Sequence, residues 1–401
     1  MEYGFVTKRA DYLSFGKYCS NVDFFRLSIS FSRCIFFAFS KQKIYLCKQK
    51  QIFMILTDSM LDAAFRFRET EAWKMLDDPN IFAVRLSNGQ NVYCTIMGNG
   101  GEHYSLGIYI SEDGFSSYLR ILNSDGSMIN NLRYVTKADC INCDFMQAKE
   151  IDNKVKKIIR QYAESHGISI PRKHGWVDFA RVKPYKAQWF ITDSEDAMIA
   201  EEALHAATFL TNELKDKGYE EVGLDPNGDY PSNKGGEKIP LIVHDDNGYS
   251  ILSTLTPALK EMEYVSPIFN NDILAHNVAN MHKTGTIFCR LEHIQSPIMP
   301  EDDGLPQLPG MFIMINQSDG EMLPPYTTVD YPDNTQKLLT QLANHFCMLG
   351  IHPEQIIVSD KLTFALISDF CNKCKIKLKK VDSMPELDYA CASMLLYMME
   401  L

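Results

Sequence analysis

The sequence contains no apolar run long enough to cross a bilayer. Its most hydrophobic stretches are cut by charge, Gly or Pro well short of the ~20 residues a spanning helix needs. It also lacks a basic excess: 51 Asp and Glu outnumber 40 Lys and Arg, for a formal charge of −11. Such a chain is poorly suited to the phosphate backbone of nucleic acid unless a local basic patch exists. The cysteine density of a small disulfide scaffold is missing too. Eleven cysteines, an odd number, lie scattered along 401 residues, which fits a reducing, cytoplasmic setting. No dinucleotide fingerprint follows a strand, no Ser-His-Asp or Cys-His grouping carries a local motif, and no internal repeat stands out.

What is present is core material, with 45% hydrophobic residues, enough for two or three domains. Residues 1–53 stand apart, with nine Lys and Arg against three Asp and Glu, leaving −17 on the rest. They show no sustained period and read as a mis-assigned start, with Met54 or Met60 as the beginning, or as a disordered leader. A genuine leader or membrane-surface segment is the alternative.

The stretch from Met311 to Met399 organises the remainder. Met311-Phe312-Ile313-Met314-Ile315 is an unbroken apolar run ending in the turn signal Asn316 to Gly320, as expected of a strand covered on both faces. Glu321-Met322-Leu323 can pair back, cut short by Pro324-Pro325, and Tyr326 to Val329 is a third strand. Leu338, Leu342, Phe346 and Leu349 share one helical face, Asp333 or Asn334 offers the N-cap, and Gly350 stops the helix. Ile356 to Val358 is a fourth strand, a helix capped by Ser359 or Asp360 follows, and Lys377, Lys379 and Lys380 mark a protected edge strand. Pro385 opens the last helix. The order β-β-β-α-β-α-β-α predicts a mixed sheet with ribonuclease-H-like strand order, its first and fourth strands central.

Upstream, helices and Asn-Gly hairpins predict an α+β domain over residues 54–222. Gly223 to Gly236, with Pro226, Gly228, Pro231 and Gly235, marks a linker at 223–238, and the α/β domain takes 239–401. Ala72-Trp73-x-x-Leu76-x-Asp78 with Phe82, then Tyr93-x-x-x-Met97-Gly98 and Gly101-Glu102-x-Tyr104-x-Leu106-x-x-Tyr109, resembles the amino-terminal domain of an uncharacterised bacterial two-domain family. The resemblance covers roughly residues 60 to 400. It implies a bacterial, cytoplasmic, two-domain protein and supplies no catalytic residues.

Five constellations could carry chemistry. Cys140 and Cys143 with Cys371 and Cys374 form two C-x-x-C pairs, the spacing of a four-thiolate zinc site, against incidental buried thiols. The loop Gly98 to His103 could cradle a phosphate, with Glu102 and His103 at its tip, but it joins two strands, so a tight connection is the plainer reading. A ribonuclease-H-like nuclease would need carboxylates for two metal ions; Asp360, Glu386 and Asp388 are offered, while the first strand ends in Asn316 and the first helix has no acid. Arg172, Lys173, His174, Arg181, Lys183 and Lys186, interleaved with Trp176, Tyr185 and Trp189, form the body's basic-aromatic cluster, an anionic-partner surface or a solvated loop with its tryptophans turned inward. His244-Asp245-Asp246 has metal-capable side chains at a turn. These readings converge on a non-enzymatic binding or interaction protein without a cofactor. Its expected partner is a protein or small molecule, not nucleic acid or membrane. A metal-dependent phosphoryl-transfer enzyme or nuclease and a zinc-stabilised structural protein are the alternatives.

Overall fold

A computed structural model describes residues 54–101, 103–124, 128–226, 228–298 and 305–400. The reading of residues 1–53 and the candidate Glu102 lie outside them.

The first layer is built from α1 (Asp58–Thr70), β1 (Phe82–Arg85), β2 (Asn91–Met97), β3 (Tyr104–Ile110), α2 (Ser111–Leu122), α3 (Met128–Val135), β4 (Cys140–Met146), α4 (Asn153–His166), β5 (Trp176–Val182), β6 (Trp189–Phe190), α5 (Ser194–Lys217), the short α6 (Tyr219–Val222), β7 (Lys238–Asp245) and β8 (Gly248–Leu255). Its eight strands run β6-β5-β4-β3-β2-β1-β7-β8. Every neighbouring pair is antiparallel except β1 and β7, where Ala83 pairs with Leu241 in parallel. Alternation along the strands buries both faces. Ile96, Leu106, Ile108, Cys143 and Phe145 meet α1 and α5 on one side, while Ala83, Tyr93 and Leu241 meet Phe115 and Leu119 of α2 on the other. The sequence assigned the 238–255 hairpin to the second domain. The structure corrects that: β7 and β8 complete the first sheet, because Leu241 and Ile242 find their buried neighbours on β1.

The second layer comprises α7 (Asp272–Ala279), β9 (His282–His293), β10 (Gly310–Asn316), β11 (Tyr326–Thr328), α8 (Thr335–Leu349), β12 (Ile351–Val358), α9 (Lys361–Lys373), β13 (Lys377–Lys380) and α10 (Pro385–Glu400). The strand order is β11-β10-β9-β12-β13. β9 is antiparallel to β10 and parallel to β12, which is parallel to β13. The apolar run is fully buried as expected, yet it is the second strand and not the first. The twelve-residue β9 occupies the centre. Glu321 to Leu323 forms no strand; only an isolated Ile315–Met322 bridge marks it, because the two prolines that follow lack amide donors.

Helix boundaries follow local chemistry. Asn334 accepts from the Lys337 amide at 3.1 Å and Gly350 ends α8 at φ +67°. Asp360 accepts from the Thr363 amide at 2.7 Å to start α9. Helices α7, α8 and α9 cover one face of the sheet, and α10 covers the other through Met384, Leu387 and Cys391. Among the described residues no helix is long and apolar enough to cross a membrane.

Phe312 is fully buried between β9 and α8. Phe312→Ala should cost about 3–5 kcal/mol through lost burial and the cavity left behind, seen as a lower urea midpoint.

Candidate functional site

The period of two along β9 turns Phe288, Arg290, Glu292 and Ile294 toward α10, and Ile287, Cys289 and Leu291 toward the opposite core. Two of the residues on the α10 face are charged. Arg290 is 6% exposed and Glu292 is 3% exposed. A buried guanidinium is tolerated only when paired and hydrogen-bonded, and this one is surrounded. Arg290 donates to Asp388 in the first turn of α10 and to the Ser359 hydroxyl after β12. Glu292 lies 3.7 Å from its Nη1 and Asp360 lies 3.8 Å from its Nε. Burial pulls the Arg290 pKa down, but the Asp388 hydrogen bond and the Glu292 charge outweigh it, so the net shift is upward.

The other domain closes the cluster. Arg133 of α3 grips Glu292 with Nε at 3.0 and 3.2 Å from the two carboxylate oxygens, and with Nη2 as well. Beside it, Gln295 donates to Thr136 Oγ1 at 2.8 Å, and the Leu308 amide donates to Tyr185 O at 3.3 Å. Tyr185, at φ +63°, buries its ring in the second domain's core, 4.8 Å from both His293 and Tyr331. Between these contacts opens a cleft of about 1110 Å³, with α2, α3 and the 256–271 connection on one wall and β9, α9 and α10 on the other. Burial, with the Lys137 charge, lowers His293 in its wall to about 3, leaving a neutral imidazole whose Nε2 has no hydrogen-bond partner among the described residues.

Of the three sequence-nominated carboxylates, Asp360 and Asp388 meet at this cluster. Glu386 does not: it is exposed, two positions along α10 from Asp388 and turned away. Helical spacing of two does not share a face. The acid that the Met311 to Ile315 run lacks is Glu292, which lies one strand earlier, on β9. The Arg-Leu-Glu alternation at 290–292 in an apolar stretch was the available signal.

The thiols do not assemble. Cys143 sits in the main core of the first layer, Cys140 on the opposite face of the same strand, and Cys371 and Cys374 in the second layer's core. Positions three apart on a strand face opposite ways, so Cys140 and Cys143 cannot chelate together. Burial raises Cys140 and Cys374 to about 12 and Cys143 and Cys371 well above the usual thiol range. Among the described residues no three His, Cys, Asp or Glu side chains group to hold a metal ion.

The remaining candidates lie apart from this cluster. The glycine loop is a tight β2–β3 connection: at Gly98, φ +135°, a Cβ would lie 2.5 Å from the Tyr104 ring. His103 approaches Asp144 at 3.3 Å, and Ser105 donates to the same oxygen at 2.5 Å. Arg172 and Lys173 are exposed, whereas Trp176 is buried under Arg160. Arg181 is consumed by Asp139 at 2.6 Å and Asp196 at 2.9 Å. Asp245 accepts from the Asn247 amide at 2.8 Å to form its turn, and His244 packs on Tyr249.

The comparisons with known proteins came out as follows. None of the curated proteins matches the chain. One solved structure, titled the cryo-EM structure of a simian T-cell lymphotropic virus intasome in complex with PP2A regulatory subunit B56 gamma, is similar over 34% of this chain and 45% of that chain, less than half its length, at 11% identity and a TM-score of 0.22.

Two measurements probe the geometry. Arg290→Ala leaves Asp388 and the Ser359 hydroxyl without their donor and Glu292 with Arg133 alone, and should cost about 3–5 kcal/mol, read as a drop in the urea midpoint. Asp178 opposes Asp144 across β5 and β4, and burial, then the Asp144 charge, raises it to about 7. The folded state therefore holds a proton that the unfolded chain releases near pH 4, and stability falls as pH rises from there through about 7. Asp178→Asn should raise the melting temperature at pH 8 and leave it little changed at pH 4.

Residues 58–226 match the family model described as a domain of unknown function (DUF7309) and residues 277–395 match that of a second (DUF6930), so the chain is a two-domain protein in which the one domain of unknown function precedes the other.

Proposed function

We propose that the protein is a non-enzymatic binding protein of the bacterial cytoplasm whose ligand seat is the cleft between its two domains. The observation that carries this reading is the position of Arg290. In the reading of the second domain as ribonuclease-H-like, supported by a strand order with three parallel strands and a meander at one side, phosphoryl-transfer chemistry would need divalent ions between carboxylates of the first strand, the end of the fourth strand and the last helix. Glu292, Asp360 and Asp388 hold those places, and a guanidinium stands among them. A fixed cation there supplies charge balance but neither a metal-bound water nor a Lewis acid. Arg133 of the first domain then spends its own charge on Glu292. The carboxylates thus join the domains within one wall of the cleft, and the wall facing them remains open to a ligand.

Isothermal titration of the full chain with Mn²⁺ tests this against the nuclease reading. The wild type should give no saturable heat, and Arg290→Ser, which vacates the space between three carboxylates, should gain Mn²⁺ uptake. Stoichiometric Mn²⁺ binding by the wild type, together with cleavage of a nucleic-acid substrate, would sink the proposal.

A further inference from the structure

The cations of the cleft fall into two groups. Arg133 and Arg290 are held by Glu292 and Asp388, Lys260 by Glu112 at 2.9 Å, and Lys361 by Glu261 at 2.5 Å. Arg120 of α2 and Lys137, just beyond α3, have no carboxylate within ion-pair distance among the described residues. Arg120 is half-buried and donates to the Lys260 carbonyl, while the Lys137 ammonium lies 5.8 Å from the centre of the Tyr264 ring. Two cations on one concave wall thus stand without a close carboxylate among the described residues, although the chain has 51 acids to 40 bases. Burial lowers Arg120 below the usual guanidinium range, with Tyr264, Tyr134 and Asp113 opposing. Among the described residues no close carboxylate offsets its desolvation.

The surroundings limit what fits. Tyr134, Leu259, Met262 and Tyr264 lend rings and apolar surface beside the two cations. The nine-tenths-buried His293, neutral and with Nε2 unpartnered, adds a polar group to the same cleft. Glu292, Asp360 and Asp388 on the opposite wall repel an anion and confine it to the Arg120 side. A volume of about 1110 Å³ is at the upper end for pockets holding an organic ligand, and too large to be shaped for an inorganic ion.

We propose that the cleft binds a small organic molecule carrying a phosphate or carboxylate group, with its oxyanion between Arg120 and Lys137 and its body against Tyr134 and Tyr264. This rests on the cleft being a ligand seat, but it fails separately. Loss of anion binding leaves the Arg290 cluster untouched, and Mn²⁺ uptake by the wild type would not involve Arg120 or Lys137.

The test is calorimetric titration of the full chain with adenosine monophosphate, citrate and, as the uncharged control, adenosine. Saturable binding of the monophosphate or of citrate is expected, the stronger of the two naming the anionic group, with adenosine at least roughly tenfold weaker. Arg120→Gln and Lys137→Gln should each weaken binding roughly tenfold or more, while Lys361→Gln, whose partner is Glu261, should bind as the wild type does. Lys137 packs on a ring at the cleft surface, so Lys137→Gln keeps the test valid even if Arg120→Gln unfolds, as circular dichroism would report. No binding of either anion, adenosine binding as tightly as its monophosphate, or unchanged affinity in Lys137→Gln would each overturn the proposal.

Discussion

A single buried guanidinium constrains this molecule. Arg290 sits on the central strand of the second sheet, where its neighbours on either side of the chain are core residues. A charge in that place is expensive to desolvate, and it persists only with anions and acceptors arranged around it. Asp388 fixes the first turn of α10 against the sheet, Ser359 fixes the β12–α9 connection, and Glu292 recruits Arg133 from the other domain. The fold of one domain, the seating of its last helix and the junction with the other domain thus all answer to one electrostatic requirement.

The junction is reinforced by contacts of a different kind. The Tyr185 ring leaves its own sheet to finish the aromatic core of the second domain, and the Ala187 amide donates to the Pro306 carbonyl at 3.0 Å. Lys186 pairs with Asp333 ahead of α8. The basic-aromatic segment that from sequence suggests an anionic partner is in fact where one domain inserts into the other. Arg181, Lys183 and Lys186 pair with Asp139, Asp196 and Asp333 within the chain, while Arg172 and Lys173 stay exposed.

The parts of the fold legible in sequence were those with strong local chemistry. The apolar run of β10, the α8 stripe bounded by Asn334 and Gly350, the Asp360 cap and the lysine-lined β13 all express themselves within a few residues. Of β9 only Thr286 to Leu291 reads as a strand in the sequence, because its first half, His282 to Gly285, is polar, and an acidic, proline-rich loop sets it apart from the Met311 run. Counting the sheet from Met311 leaves out its central strand and Glu292 with it, so the charged cluster shows in the sequence only through Asp360 and Asp388. The failure of the zinc set was readable: three residues along a strand reverse the face, whatever the C-x-x-C spacing suggests. The membership of β7 was not readable, since pairing with a strand more than 150 positions earlier leaves no local trace.

That distant pairing has a consequence for how the protein is made. β1 has its antiparallel partner β2 within a few residues, but its other edge stays bare until Leu241 and Ile242 arrive. On the ribosome, then, the first domain waits with an open strand edge through the synthesis of α2 to α6, a long exposure of backbone donors and acceptors during elongation. Its completion is timed by chain length more than by any local propensity, and the sheet can close only once β7 has emerged.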